Sequence, residues 1–139
     1  MRFYRDPGAR PPTKAYETDG GWDLYSRDKA TIYPGESYTF DTGVHAAIPC
    51  GFAGLVKSKS GLNVKHGITS DGVVDFGYTG SIVVKLYNHG TEPYTVNIGD
   101  KISQLVVVLL YGGYLTEVNS IDELGQGERG FNGFGSSGK

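Results

Sequence analysis

The sequence predicts an all-β domain, and three observations carry that reading. Gly accounts for 22 of 139 residues, about twice the ~7% of ordinary chains. Ten Tyr and six Phe mix with β-branched residues in short runs, the composition of strands. Turn signals at Pro34-Gly35, Pro49-Cys-Gly51 and Gly99-Asp100 separate the runs, a spacing that suits an antiparallel sandwich or barrel. Runs of helix formers are few, and no internal repeat or long linker divides the chain.

Length and composition bound the function. A chain of 139 residues suggests one domain with a core of ordinary size. Thirteen Lys and Arg against fifteen Asp and Glu give a net charge of -2. That balance argues against a general nucleic-acid binder, which carries a basic excess, and leaves room for a basic pocket taking a phosphorylated metabolite. Cys50 is the only cysteine, so the chain offers no intrachain disulfide and no Cys-based zinc site. A reducing cytoplasm is the simplest home. Met1-Arg-Phe-Tyr-Arg-Asp-Pro7 lacks the apolar core of a signal peptide. No apolar run approaches the ~20 residues of a membrane helix. The expected location is cytoplasmic, or the host cytoplasm or nucleus for a viral protein.

The elements follow in order. Residues 1–18 are polar and carry Pro7, Pro11 and Pro12; Arg2 to Tyr4 suits an edge strand and Ala9 to Lys14 an extended segment. Gly20 to Ser26 reads as a strand with Trp22, Leu24 and Ser26 on one face and Asp23 and Tyr25 on the other. Asp23 is then either a site residue or a plain exposed carboxylate. Thr31 to Glu36 holds a Pro-Gly turn, and Tyr38–Phe40, Thr42–Ile48 and Phe52–Val56 are short strands. Lys57-Ser-Lys-Ser-Gly-Leu-Asn63 sets two ammonium groups and two hydroxyls beside a glycine, which suits either a phosphate oxygen or an ordinary solvated loop. Ser60 to Lys65 predicts a short helix, whose N-terminus adds positive potential.

The densest stretch is Gly72-Val-Val-Asp-Phe-Gly-Tyr-Thr-Gly80, followed by the strand-like Ser81 to Asn88. It predicts a tight hairpin offering backbone donors and acceptors, the Asp75 carboxylate and the Tyr78 ring to a flat ligand. A surface turn with a solvated Asp is the other reading. Gly99-Asp100 is a second hairpin signal. Ile102 to Leu110 is a strand containing six consecutive apolar residues from Leu105. Such a run calls for cover on both faces, from another subunit or from a loop in a sandwich. From Gly125 the chain is glycine-rich and too poor in aliphatic residues to order itself. Arg129, Phe131, Phe134, Ser136 and Ser137 within it suit a lid over an aromatic, phosphorylated ligand, or a disordered tail.

Five of these stretches, in this order, resemble the motifs of the trimeric deoxyuridine triphosphatases (dUTPases). They are Gly21-Trp-Asp-Leu-Tyr-Ser26, Lys59-Ser-Gly61, Gly72 to Asn88, Gly99-Asp-Lys-Ile-Ser-Gln-Leu105 and Arg129-Gly-Phe-Asn-Gly-Phe-Gly-Ser-Ser-Gly138. The resemblance implies a distorted antiparallel jelly-roll (β-clip) subunit over residues 1–124 and a C-terminal arm over 125–139 that closes on the site. It implies a homotrimer with three shared sites and magnesium-assisted conversion of dUTP and water to dUMP and pyrophosphate, which keeps uracil out of DNA. By the same resemblance Asp75 is the base that orients and deprotonates the attacking water. Backbone at Gly72, Val73, Val74 and Gly80 reads uracil, and Tyr78 packs beneath deoxyribose. Lys59, Ser60, Gly61 and Gln104 hold the α- and β-phosphates. Phe134 stacks on uracil, and Arg129, Gly135, Ser136 and Ser137 close on the γ-phosphate. Asp23 braces this layer, and magnesium is held by phosphates and water with no direct protein ligand.

The departures are Lys59 for the family's usual Arg, Ser137 for a frequent Thr, a bulky Trp22, and Thr69 where some members have Asn. Lys is a point charge and not a planar fork, which loosens phosphate positioning. Two rival readings share the fold. A regulatory nucleotide-binding protein of the phage type would use a protein partner. A dCTP deaminase relative needs a Glu base, and the central stretch offers only Asp75 and Tyr78.

Overall fold

Strands form where β-branched and aromatic residues run between glycine and proline turns. The computed structural model describes residues 1–125, Gly127 and Gly130. Its strands are β1 (Arg2–Arg5), β2 (Gly21–Tyr25), β3 (Ala30–Ile32), β4 (Ser37–Asp41), β5 (Val44–Ala47), β6 (Phe52–Lys57), β7 (Ile68–Thr69), β8 (Asp71–Val74), β9 (Val83–Asn88), β10 (Tyr94–Val96) and β11 (Lys101–Leu109). The helix α1 (Ser60–His66) links β6 to β7, and a 3₁₀ turn covers Ile121–Leu124.

All strand pairings among the described residues are antiparallel. The largest sheet runs β2-β11-β6-β8, and a second runs β4-β9-β7; the pairs β1-β5 and β3-β10 complete the frame. The expected all-β, jelly-roll-like architecture is therefore present. The core lies between the sheets. Strand β9 alternates strictly, turning Val84, Leu86 and Asn88 inward. Val84 and Leu86 meet Leu24, Phe40, Val56 and Leu105 in one apolar cluster. Helix α1 buries no residue; it is a connector closed by Gly67 at a φ of 67°, a left-handed cap that glycine adopts without strain.

Two sequence expectations are corrected. Residues 72–88 do not form a paired hairpin, because β8 belongs to the first sheet and β9 to the second. A turn closes from the Tyr78 amide to the Asp75 carbonyl at 3.2 Å, and the chain then crosses to β5, where the Ile82 amide meets the Val44 carbonyl at 2.7 Å. The Gly99-Asp100 turn likewise separates β10 and β11, which lie in different sheets. It is clamped to the end of β2 by the pairs Gly99 N–Ser26 O at 2.8 Å and Ser26 N–Asp100 O at 2.9 Å. Within the single chain the apolar run of β11 is covered only in part. Leu105 is buried, Val106 to Val108 are half-buried, and Leu109 is 74% exposed.

Candidate active site

Strand β11 sets the site because it is central to its sheet. Gln104 lies opposite Asp23 of β2 and Lys57 of β6, and directly paired residues project on one face. At that end a cleft of about 310 Å³ is lined by Gly21, Asp23, Lys59, Ser60, Lys101 and Gln104, with the 15–20 loop as its wall. Gly21 is required here: a Cβ would stand 3.0 Å from the Gln104 amide oxygen and 3.1 Å from the Leu105 carbonyl. Gln104 donates one amide hydrogen to the Ser58 carbonyl at 3.1 Å. A primary amide has two donors, so the second is left for the cleft.

Asp23 is 7% exposed and not the solvated carboxylate a bare strand would present. One oxygen accepts from Lys59, and the other from Lys101 at 2.7 Å. Burial pushes its carboxyl up, but the hydrogen bonds and charges of Lys101 and Lys59 outweigh that and hold it below 3.8. Both ammonium groups keep partial access to water, with side chains 28% and 43% exposed for Lys59 and Lys101. Lys59 is the N-cap of α1 and makes no side-chain cap. The amides of Ser60 and Gly61, in the first helical turn, have no intrahelical partner. The arrangement is an anion cradle: two cations held apart by one carboxylate, with a hydroxyl, backbone donors and an amide around them.

The second group of site residues lies elsewhere. Strand β8 is the edge of its sheet, bonded only to β6, so its outer row of N–H and C=O groups is open to a flat ligand. Gly72, Val73 and Val74 lie on it. Asp75 follows, exposed, and its carboxylate has no hydrogen-bond partner among the described residues. Tyr78 is 46% exposed and donates its hydroxyl to the Ser81 carbonyl at 2.9 Å. Its ring lies across Gly80, where a Cβ would collide with it.

The structure thus brings Asp23, Lys59, Ser60 and Gln104 together, with Gly61 beside them. No residue of 72–80 lines their cleft. Arg129, Phe134, Gly135, Ser136 and Ser137 lie outside the described residues. Lys101 is a site residue that sequence reasoning passed over, although it adjoins the Gly99-Asp100 turn within a quoted motif. Its signal was a second cation at the start of β11, the strand that pairs with β6 leading to Lys59, visible only once the register is known.

A family model described as dUTPase matches residues 8–138. This chain belongs to the dUTPase family. It is 44% identical over 139 residues to the deoxyuridine 5'-triphosphate nucleotidohydrolase of Mycobacterium leprae, covering 96% of this chain and 90% of the relative. The Candida albicans protein of the same name is 40% identical over 138 residues, covering 99% of this chain and 86% of the relative. Among solved structures, the dUTPase of Staphylococcus bacteriophage 80alpha with dUPNHPP superposes with a TM-score of 0.88 at 27% identity, over 99% of this chain and 98% of the other. A mutant dUTPase of phage phi11, described with a structural Mg(II) ion, superposes with a TM-score of 0.79 at 26% identity over 87% of this chain and 97% of the other.

The dUTPase-family site is built from ammonium groups, an amide and a hydroxyl around one carboxylate. Among the described residues no group of three or more His, Cys, Asp and Glu side chains is placed to hold a metal. Asp23 spends both oxygens on ammonium groups. The ammonium, amide and hydroxyl groups around Asp23 suit the oxygens of a polyphosphate, with which a magnesium ion could travel. No helix among the described residues is long and apolar enough to cross a membrane.

Proposed function

We propose that this chain hydrolyses dUTP to dUMP and pyrophosphate, with Asp75 as the general base. The observation that carries the reading is the anion cradle built from Asp23, Lys59, Lys101 and Gln104 at one end of the β2-β11-β6 ladder. Family membership gives the substrate its name, and the edge strand β8 gives the base a partner.

Uracil pairs with the open backbone of Gly72 to Val74 and with Gly80. Cytosine reverses donor and acceptor at that edge, so it leaves buried groups unpaired and is rejected. Tyr78 packs beneath deoxyribose and leaves no room for a 2′-hydroxyl. Lys59, Lys101, Gln104 and the amides of Ser60 and Gly61 hold the α- and β-phosphates. Asp75 accepts a proton from a water molecule as its oxygen attacks the α-phosphorus in line. The bond from that phosphorus to the α–β bridging oxygen breaks, and pyrophosphate leaves with the electron pair. Positioning and charge stabilisation supply most of the rate in such a displacement. Magnesium bound to the triphosphate supplies further charge neutralisation. Asp23 keeps both lysines charged and apart. Phe134 stacks on uracil, and Arg129, Gly135, Ser136 and Ser137 cover the γ-phosphate, with residues 125–139 acting as the closing arm of the domain at 1–124.

The cradle and Asp75 do not share one cleft within a chain. We propose that a homotrimer unites them, the cradle of one subunit facing the Asp75 loop of the next. The exposed Val106–Leu110 end of β11 then gains its second cover at the subunit contact.

Pyrophosphate release from dUTP, dCTP, dTTP and UTP tests the reading. Release from dUTP alone is expected, falling by about 10²–10⁴ in Asp75→Asn, the loss typical of removing a general base. Release that survives the substitution would overturn the role of Asp75. Tight dUTP binding without release would favour a nucleotide sensor. The phage 80alpha dUTPase is described as controlling transfer of virulence genes by a G protein-like mechanism, which gives that outcome its precedent.

A further inference from the structure

We propose that Lys57 is a further phosphate-binding residue, a third cation that leaves Asp71 for the polyphosphate once the cradle is filled. The proposal rests on the reading of that cradle as the phosphate site. Lys57 opens the stretch that sets two ammonium groups beside a glycine, and of the two only Lys59 lines the cleft. Yet Lys57 stands in the same row. Asp23 of β2 lies opposite Gln104 of β11, Gln104 opposite Lys57 of β6, and Lys57 opposite Asp71 of β8. Directly opposed residues project on one face with Cβ atoms about 4.5–5.5 Å apart. One step between strands therefore separates the root of the Lys57 side chain from that of Gln104, whose second amide hydrogen is left for the cleft.

The backbone under Lys57 is pinned to its neighbours. The Ser103 hydroxyl donates to the Lys57 carbonyl at 2.8 Å, and the Gln104 amide donates to the Ser58 carbonyl. The Ser58 hydroxyl in turn donates to the Ser70 carbonyl at 3.0 Å. The side chain is less constrained. Its ammonium turns away from the cleft to the Asp71 carboxylate, 2.5 Å away, and both residues line a neighbouring cavity of about 570 Å³. This pair differs from those of the cradle. Asp23 is buried between its two lysines, whereas the Lys57 and Asp71 side chains are 46% and 75% exposed. An ion pair so open to water holds its partners weakly. The flexible four-carbon stem of lysine lets the ammonium change partners without moving the backbone.

Charge gives the exchange its direction. In the empty cradle two ammonium groups face one carboxylate, an excess of positive charge. A third ammonium there is repelled, and Asp71 holds it aside. A polyphosphate reverses the sign of the cleft, and its nonbridging oxygens accept charge-assisted hydrogen bonds. Lys57 then donates to the phosphate that Gln104 holds, and the Asp71 carboxylate is released to water.

The two halves of the pair should act in opposite directions, which a pair serving only the fold would not do. The full chain is titrated with magnesium tripolyphosphate by calorimetry, as wild type, Lys57→Ala, Asp71→Ala and the double variant. Lys57→Ala is expected to weaken binding about fivefold, the scale of one charge-assisted contact at a partly exposed site. Asp71→Ala frees Lys57 and is expected to tighten binding about threefold, the strength of an exposed pair. With Lys57 already replaced, the Asp71 substitution should have little effect. Values of kcat/KM for dUTP should follow the same order. Binding by Lys57→Ala as tight as that of wild type would overturn the proposal, and so would weaker binding by Asp71→Ala. Equal tightening by Asp71→Ala with and without Lys57 would also overturn it, because the carboxylate would then act through its field and not by holding the lysine. A wild type that binds no tripolyphosphate would strike the cradle and this proposal together. One that binds it but releases no pyrophosphate from dUTP would strike the hydrolase reading alone, and the four affinities would still decide the role of Lys57.

Discussion

Asp23 sits between two cations, one ammonium group on each carboxylate oxygen, and the residue itself is buried. Its carboxyl is held below 3.8 by Lys101 and Lys59 despite burial. A group lowered on folding contributes stability that is present above its unfolded value and is lost as pH falls through its folded value. Asp23→Asn removes that contribution and leaves two ammonium groups facing each other. It should cost about 1–2 kcal/mol near neutral pH, below the usual penalty for breaking a buried pair because both lysines reach water. Urea unfolding across acid pH checks the sign. The gap between wild type and variant should be full at neutral pH and close below 3.8. A gap independent of pH would mean that shape and not charge accounts for the loss.

At the scale of elements, what could be read from the sequence was local. The strands at Phe52 to Val56 and Ile102 to Leu110, and the helix beginning at Ser60, follow from β-branched runs, glycine and a short polar start, and each stands where expected. Turn chemistry at Asp75–Tyr78 and Gly99–Asp100 was legible too. The partner strand was not, because a turn fixes a reversal of the chain and not the sheet that receives it. The period of two placed Asp23 and Tyr25 on one face but could not tell that β11 and Lys59 would cover Asp23. Lys101 joins the cradle only through the β2-β11 register, which shifts between Lys101 and Ser103, and no single strand encodes that shift. The same logic gives Gly80 a role no turn propensity states. The Tyr78 ring occupies the space its Cβ would need, with ring carbon Cε2 at 2.9 Å. Gly80→Ala should displace the ring, so that discrimination between dUTP and UTP falls by about tenfold, the worth of a well-packed contact in substrate choice. Parallel kcat/KM values for the two nucleotides measure it. Unchanged discrimination would show that the sugar is read elsewhere.

At the scale of the molecule, the separation of Asp75 from the cradle makes a quantitative demand on assembly. On the proposed roles Asp75→Asn lacks the base and Lys59→Ala lacks a cradle cation, so each variant assembled alone should be nearly inactive. If every site takes its base from one subunit and its cradle from a neighbour, a site in a mixed trimer works when the first subunit carries Lys59→Ala and the second carries Asp75→Asn. With equal amounts and random closed assembly, about one site in four meets that condition. Co-expressed or co-refolded variants should therefore regain about a quarter of wild-type turnover per site, with a mass in solution of three chains. A mixture as inactive as its parents would place base and cradle in one subunit. It would then require the 72–80 loop to swing toward the Asp23 cleft when nucleotide binds. The exposed end of β11 supplies an independent check. Leu109 is 74% exposed in the single chain, and in a trimer that buries it Leu109→Lys should lower the mass to that of a monomer. If the site is shared as proposed, loss of turnover should accompany loss of the trimer.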